Sequence, residues 1–276
     1  MLSTLQTIVS TAVAHDKRDV LGLQSATFDW SRLGTFTGSR VSEYAQTKSK
    51  RGAYLAVPMT PAAGIWAGSP IAFISRDFTL LDDNNRILSF AELVQHPHRA
   101  TNLHVRFRFD KSPQNFTIRK FKRSGHKFLC PILASLSIWY RASALRVPDT
   151  APLGVFRPNS SNPTFTYLTP TDVIRTMRAT CLATYPDPEH FLHKNVNRIV
   201  AHSLRVTAAV ALFNMGYSIE GIAYRLRWQP QSVQHYLREC FKHSDERTKS
   251  VIEGACAISD SLLLHLGTLS LPCFSP

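Results

Sequence analysis

Several things are scarce or missing in this 276-residue chain, and each shortage removes a class of protein. There is no run of eighteen apolar residues, so no stretch reads as a bilayer-spanning helix. The five cysteines (Cys130, Cys181, Cys240, Cys256, Cys273) are odd in number, scattered and never spaced C-x-x-C. That pattern argues against a disulfide framework or a zinc site, and for reduced thiols in an intracellular protein, nuclear in a eukaryote and otherwise cytoplasmic. The histidine pairs His96/His98 and His190/His193 have no cysteine or carboxylate cluster beside them. They read as surface or loop histidines rather than metal ligands. The opening MLSTLQTIVSTAVAHDKRD lacks a basic leader and a long apolar block, so it reads as a helix over 3–14 rather than a secretion signal. No internal repeat is visible.

Acidic residues are also in short supply. Nineteen Asp and Glu face 32 Lys and Arg, for a formal net charge of +13 and a pI near 9.9. Such an excess repels itself, and a polyanionic partner explains it; nucleic acid and an anionic membrane both qualify. The membrane reading lacks an amphipathic basic helix with large apolar residues. With 44% hydrophobic and 18% charged residues the chain is a folded globular protein rather than a disordered one.

The pattern predicts a mainly α protein of the α+β kind. FDWSRLGTFTGSRVSEYAQ (28–46) reads as a helix with a Gly-containing turn near its start, and residues 48–75 as a long loop rich in Pro, Gly, Ala and Ser. LHVRFRF (103–109) and FTIRKF (116–121) alternate strictly around the turn residues DKSPQN. They predict a β-hairpin with Arg106, Arg108, Arg119 and Lys120 on its polar faces. From Arg99 to Lys127 there are nine Lys and Arg (99, 106, 108, 111, 119, 120, 122, 123, 127) against one acid, Asp110. That imbalance favours phosphate contact, with Lys122 among the contributors. Helices are predicted over 130–145, over 169–183 with Thr169 or Thr171 as cap and Pro170 early, and over 198–215, ended by Gly216. Three more are predicted over 218–227, 231–242 and 261–267.

HSLRVTAAV (202–210) sets His202 and Arg205 one turn apart in an otherwise small and aliphatic helix. An arginine fork matches two phosphate oxygens, and a histidine beside it exchanges a proton near neutral pH. Trp228 follows Arg205 by 23 residues and Tyr236 follows Trp228 by eight, while TGSRVSE brings Arg40 and Glu43 far upstream. Taken together, these motifs resemble the catalytic domain of the tyrosine recombinase (phage integrase) family. That family's pattern is an arginine in T-G-x-R-x-S-E, a hairpin lysine, H-x-x-R, a histidine or tryptophan, and a nucleophilic tyrosine. The tryptophan is similar to the choice made in Cre recombinase.

The resemblance implies a helical domain that cleaves and rejoins double-stranded DNA through a 3′-phosphotyrosyl intermediate, as expected of a mobile-element enzyme. It implies no metal or nucleotide cofactor, no membrane partner, and a homotetramer on DNA. Arg40, His202, Arg205, Trp228 and Tyr236 are carried over as catalytic, with Glu43 orienting Arg40. The lysine is Lys111 at the hairpin tip or Lys122 after the second strand. Two arginines suit the chemistry because metal-free cleavage loads charge onto the non-bridging oxygens. The domain is expected over 1–250, with an insertion near 50–100, a C-terminal helix or tail over 251–276, and no N-terminal clamping domain. The Trp-to-Tyr interval is one residue short of the family's, and Tyr224 is the other tyrosine nearby. A rival reading takes SIEGIAYRLRWQPQSVQHYLREC as a helix-turn-helix, with Ile222, Ala223 and Leu226 packing the first helix and Val233 and Leu237 the second. The chain is then a DNA-binding regulator without chemistry.

Overall fold

The computed structural model describes residues 19–45, 72–108, 117–126, 129–159, 164–200 and 202–238. The helices expected over 3–14 and 261–267, nearly all of the 48–75 loop, and Lys111 lie outside the described residues. Within them the chain is mainly α with a small antiparallel sheet, as the patterning predicts.

Helix α1 (Leu23–Thr37) is the axis of the fold. It packs on α4 (Pro131–Ala144), α5 (Pro170–Thr184) and α7 (Ser203–Asn214). Trp30 is buried in the main core, stacked on Tyr44 and Phe73 and edge-on to Phe78. Charge is buried here as well. Asp29 takes both Arg32 and Arg141, and Arg141 donates its Nε–H to the carbonyl of Val20, so the buried carboxylate is compensated by two cations. The expected single helix over 28–46 is two. α1 starts five residues earlier, at Leu23, and stops at Gly38, whose φ of +61° is left-handed. A Cβ on Gly38 would sit 2.7 Å from Cδ2 of Leu226, so only glycine lets the turn close against that leucine. The chain then re-forms a single turn, α2 (Val41–Tyr44).

From Glu43 the chain comes back to its own starting point. The N–H of Phe73 donates to the carbonyl of Glu43 at 2.7 Å, so the two ends of the 46–71 segment are tied together. The predicted hairpin is present as β2 (Asn102–Phe107) and β3 (Thr117–Lys122), paired from Asn102↔Lys122 to Phe107↔Thr117. A third strand, β1 (Phe78–Leu81), pairs antiparallel with β2 and was not legible in the sequence. Leu103, Val105 and Phe107 face the core, as strict alternation demands. α3 (Phe90–Gln95) joins β1 to β2 and begins with a capping box between Ser89 and Glu92. The proline-rich connector contributes a two-residue ladder, β4 (Val155–Phe156) with β5 (Thr166–Tyr167).

Thr169 caps α5, with Pro170 at the first helical position, as predicted. The helix expected over 198–215 begins only at Ser203. Before it come a single turn, α6 (Phe191–Lys194), and a 3₁₀ turn, Val196–Arg198. Gly216 follows the helix in a positive-φ conformation. Two further helices, α8 (Ile219–Leu226) and α9 (230–238), complete the described chain. Ala208, Ala209, Val210, Ile222, Ala223, Leu226, Trp228, Val233 and Leu237 bury one another as a second core. No helix among the described residues is long and apolar enough to cross a membrane.

Candidate active site

Helix α7 stands between the two cores, which answers why a cation is set in an aliphatic helix. Leu204 belongs to the main core, its Cδ1 within van der Waals reach of a Cβ built on Gly34. Ala208 and Ala209 belong to the second core. Arg205 lies buried between these faces, its guanidinium carbon 4.4 Å from the centre of the Trp228 ring. A cation over an indole face is attractive, and more so out of water. The small residues of α7 leave room for this pairing.

His202 is the N-cap of α7, at the exposed rim. Its ring centre is 4.9 Å from that of Tyr236, on α9, and the Tyr236 ring is in turn 5.1 Å from Trp228. The imidazole's proton affinity is held below the ordinary histidine range by partial burial, then by the charge of Arg205, then by that of Arg40. Arg40 comes from the opposite end of the chain and still exerts its field on the same ring. His202, Tyr236, Trp228 and Arg205 therefore form a chain of neighbouring side chains in that order, with Arg40 within electrostatic range of His202. A lowered proton affinity favours the neutral imidazole, the form that can accept a proton.

Trp228 is 5% exposed, and its indole N–H has no hydrogen-bond partner among the described residues. A buried orphan donor costs free energy unless something accepts from it. Tyr236 is half-buried against this second core. The alternative tyrosine, Tyr224, lies on the other side of α8. It is largely exposed, and its ring stacks on Arg119 of β3 at 4.3 Å.

Arg40 is the N-cap of α2, in extended conformation just before the helix rather than inside it. Its main-chain N–H donates to Oε2 of Glu43 at 2.8 Å, while its guanidinium stands 3.6 Å from Oε1. Glu43 is buried, and its principal partner is one that sequence reasoning missed. Arg227 donates to both Glu43 oxygens at 3.1 to 3.3 Å from within the protein. Glu43 thus meets Arg40 through both its main chain and its guanidinium, and it shares its carboxylate with Arg227, whose contacts are the shorter ones. No motif could have exposed this pair, because the residues are 184 positions apart.

The basic hairpin needs correction. Lys120 and Lys122 are exposed, as a phosphate-contacting face requires. Arg108 is not on that face. It is buried, its Nε–H donating to Asp77 at 2.8 Å and an Nη–H to the carbonyl of Ala72, because the strand has ended at Phe107 and the alternation with it. Arg119 is buried under Tyr224 and donates to that residue's carbonyl at 3.1 Å, since its strand face packs on α8. Arg106 is half-buried and bonds the carbonyl of Arg76. Burial holds the Asp77 carboxyl above the usual carboxylate range despite Arg108.

The histidine pairs behave as ordinary structural groups. His190 accepts from the N–H of Leu192, and His193 bonds the carbonyl of Tyr185. No group of three or more His, Cys, Asp or Glu is placed to hold a metal ion among the described residues. The chain matches no protein-family model, no curated protein and no solved structure.

Proposed function

We propose that this protein breaks and rejoins double-stranded DNA through a covalent bond between Tyr236 and a 3′-phosphate. One observation carries the reading: Tyr236 lies against His202, the ring on which the charges of Arg205 and Arg40 converge. A nucleophile, a neutral base and two cations are the parts a metal-independent phosphoryl transfer needs.

In the proposed step the Tyr236 hydroxyl oxygen attacks phosphorus, and its proton passes to His202. The P–O5′ bond breaks, its electron pair stays on O5′, and a hairpin lysine protonates that oxygen. Arg40 and Arg205 carry the charge that builds on the non-bridging oxygens, and the indole N–H of Trp228 gains an acceptor. Reversal by a new 5′-hydroxyl rejoins the strands, because the phosphotyrosyl link conserves the bond energy. The strand periodicity of the sequence favours Lys111, between the two strands, over Lys122 for the protonation. The connection between β2 and β3 leaves from Phe107, whose ring packs 3.5 Å beneath the Arg227 guanidinium beside Glu43. Lys122 pairs with Asn102 at the opposite end of the ladder, roughly 17 Å away. By the family resemblance a tetramer on two duplexes is the working assembly.

The regulator reading keeps one specific support. Ile222, Ala223, Leu226, Val233 and Leu237 are all buried between α8 and α9, as a helix-turn-helix requires. Gln231, Ser232, Gln234, His235 and Arg238 line the exposed side of α9. A helix-turn-helix, however, gives no reason for Arg40 and Arg205 to flank His202. The two readings part on one experiment. Incubation with a pool of nicked duplexes of randomised sequence, followed by denaturing electrophoresis, should reveal a protein–DNA adduct. Tyr236→Phe should abolish the adduct and spare DNA binding, and Arg205→Ala should remove cleavage. Binding without an adduct under any duplex sequence would leave the regulator as the better account.

A further inference from the structure

Helix α8 has an outward face that the candidate site leaves unused. Ile222, Ala223 and Leu226 bury its inner side. On the opposite side Tyr217, just before the helix, falls in line with Gly221 and Tyr224 at helical spacing. Tyr217 is 48% exposed and Tyr224 67%. The Tyr224 ring rests on the Arg119 guanidinium at 4.3 Å, and Arg119 also donates to the Tyr224 carbonyl at 3.1 Å. One face of that ring is therefore backed by a cation. The Tyr217 ring lies along the glycine, its Cδ1 3.7 Å from where a Cβ would stand at position 221. Arg225 lies within electrostatic range of both Tyr217 and Arg119, its guanidinium 4.6 Å from the centre of the Phe121 ring.

We infer that this face is a stacking platform for unpaired bases of single-stranded DNA, with Tyr217 and Tyr224 as its two rings. Every base has a flat face that stacks on a phenol, and the phosphates that come with it are drawn by the guanidinium groups behind the rings. The formal charge of +13 supplies the same attraction at longer range. A duplex keeps its base faces within its own stack, so only unpaired nucleotides fit. Glycine at 221 leaves the space between the two rings open. Glu220, the one acid in α8, is set on the flank away from Arg225, so a bound strand keeps its phosphates on the Arg225 side. The platform adjoins the candidate site along β3, because Arg119 stands close to Thr117, which pairs with Phe107 beneath Arg227. The strand is DNA for that reason, and to that extent the inference rests on the strand-transfer reading. The contact itself is non-covalent and forms whether or not a strand is cut.

The test uses the full-length chain and fluorescence anisotropy with labelled probes: an oligothymidylate of about twelve nucleotides, the same backbone without bases, the matching oligouridylate, and a duplex of equal length. The oligothymidylate should bind about tenfold more tightly than the baseless backbone. Tyr224→Leu and Tyr217→Leu should each remove most of that margin, Tyr224→Phe should keep it, and duplex affinity should stay unchanged in all three. Gly221→Leu fills the space beside the Tyr217 ring and leaves both tyrosines in place, so it too should weaken the oligothymidylate alone. It also decides the matter should a tyrosine variant fail to fold. Equal affinity for the probes with and without bases overturns the platform. So does a margin that survives Tyr224→Leu, a loss that the duplex shares equally, or tighter binding of the oligouridylate. An absent Tyr236 adduct counts against strand transfer instead, and the binding comparison still decides the role of this face.

Discussion

Replacing Gly38 with alanine tests the link between the Arg40 turn and the second core. Two costs follow from the geometry. The left-handed backbone at φ +61° disfavours any L side chain by about 1–2 kcal/mol. The added methyl would also lie 2.7 Å from Cδ2 and 3.1 Å from Cβ of Leu226, which is fully buried. Displacing a packed leucine costs about 1–3 kcal/mol, so the sum is about 2–5 kcal/mol. Gly216→Ala is the natural control, because φ is +84° there and nothing lies within 4 Å of the new methyl. It should show the backbone cost alone. Urea unfolding measures both. At a slope of about 2 kcal/mol per molar, Gly38→Ala should lower the midpoint by about 1–2.5 M, with the slope unchanged. Equal losses in the two variants would mean that Leu226 does not press on the turn, and the packing argument would be wrong.

Two further outcomes follow from buried charge. Arg108→Ala takes from buried Asp77 its nearest cation, leaving Arg106 at 3.6 Å, and should destabilise the protein by up to about 3–5 kcal/mol, measured by the same unfolding assay. A loss below about 1 kcal/mol would mean that Asp77 simply takes up a proton. His202 and His104 are both held below the ordinary histidine range, His104 by burial and then by Lys120. In the window between the folded and the ordinary pKa the unfolded chain binds more protons than the folded one. The stability they contribute is thus fully present above about pH 6.5 and is lost as pH falls through the folded values. His202→Gln with His104→Gln should flatten the unfolding midpoint across that window, and an unchanged slope would contradict the assignment.

What was legible in the sequence was local. Thr169 and Pro170 announce the start of α5 because a cap and a first-turn proline act within one helical turn. The alternation in LHVRFRF and FTIRKF yields the hairpin because strand period and burial coincide. The contributions from farther apart were hidden. β1 is four residues with no polar alternation, and its partner lies beyond α3. Arg108 and Arg119 look like solvent-facing cations in a period-two pattern, but Asp77 and α8 cover them. His202, Arg205, Trp228 and Tyr236 could be named because their motifs, taken together, resemble a family's pattern. The partner of Glu43 could not, since nothing about an arginine before a tryptophan says that its backbone is left-handed.

The hydrogen bond from Phe73 to Glu43 has a consequence for how such a chain can vary over generations. Everything between residues 46 and 71 departs from and comes back to that one bond. Phe73 is fastened independently, through its carbonyl to the N–H of Leu153 and its ring to Trp30. The entropy of closing such an excursion rises only about 0.6 kcal/mol for each doubling of its length. Closure alone therefore sets little limit on length at this point. Phe73 and Glu43 fix where the chain returns beside Arg40, whatever number of residues stands between them.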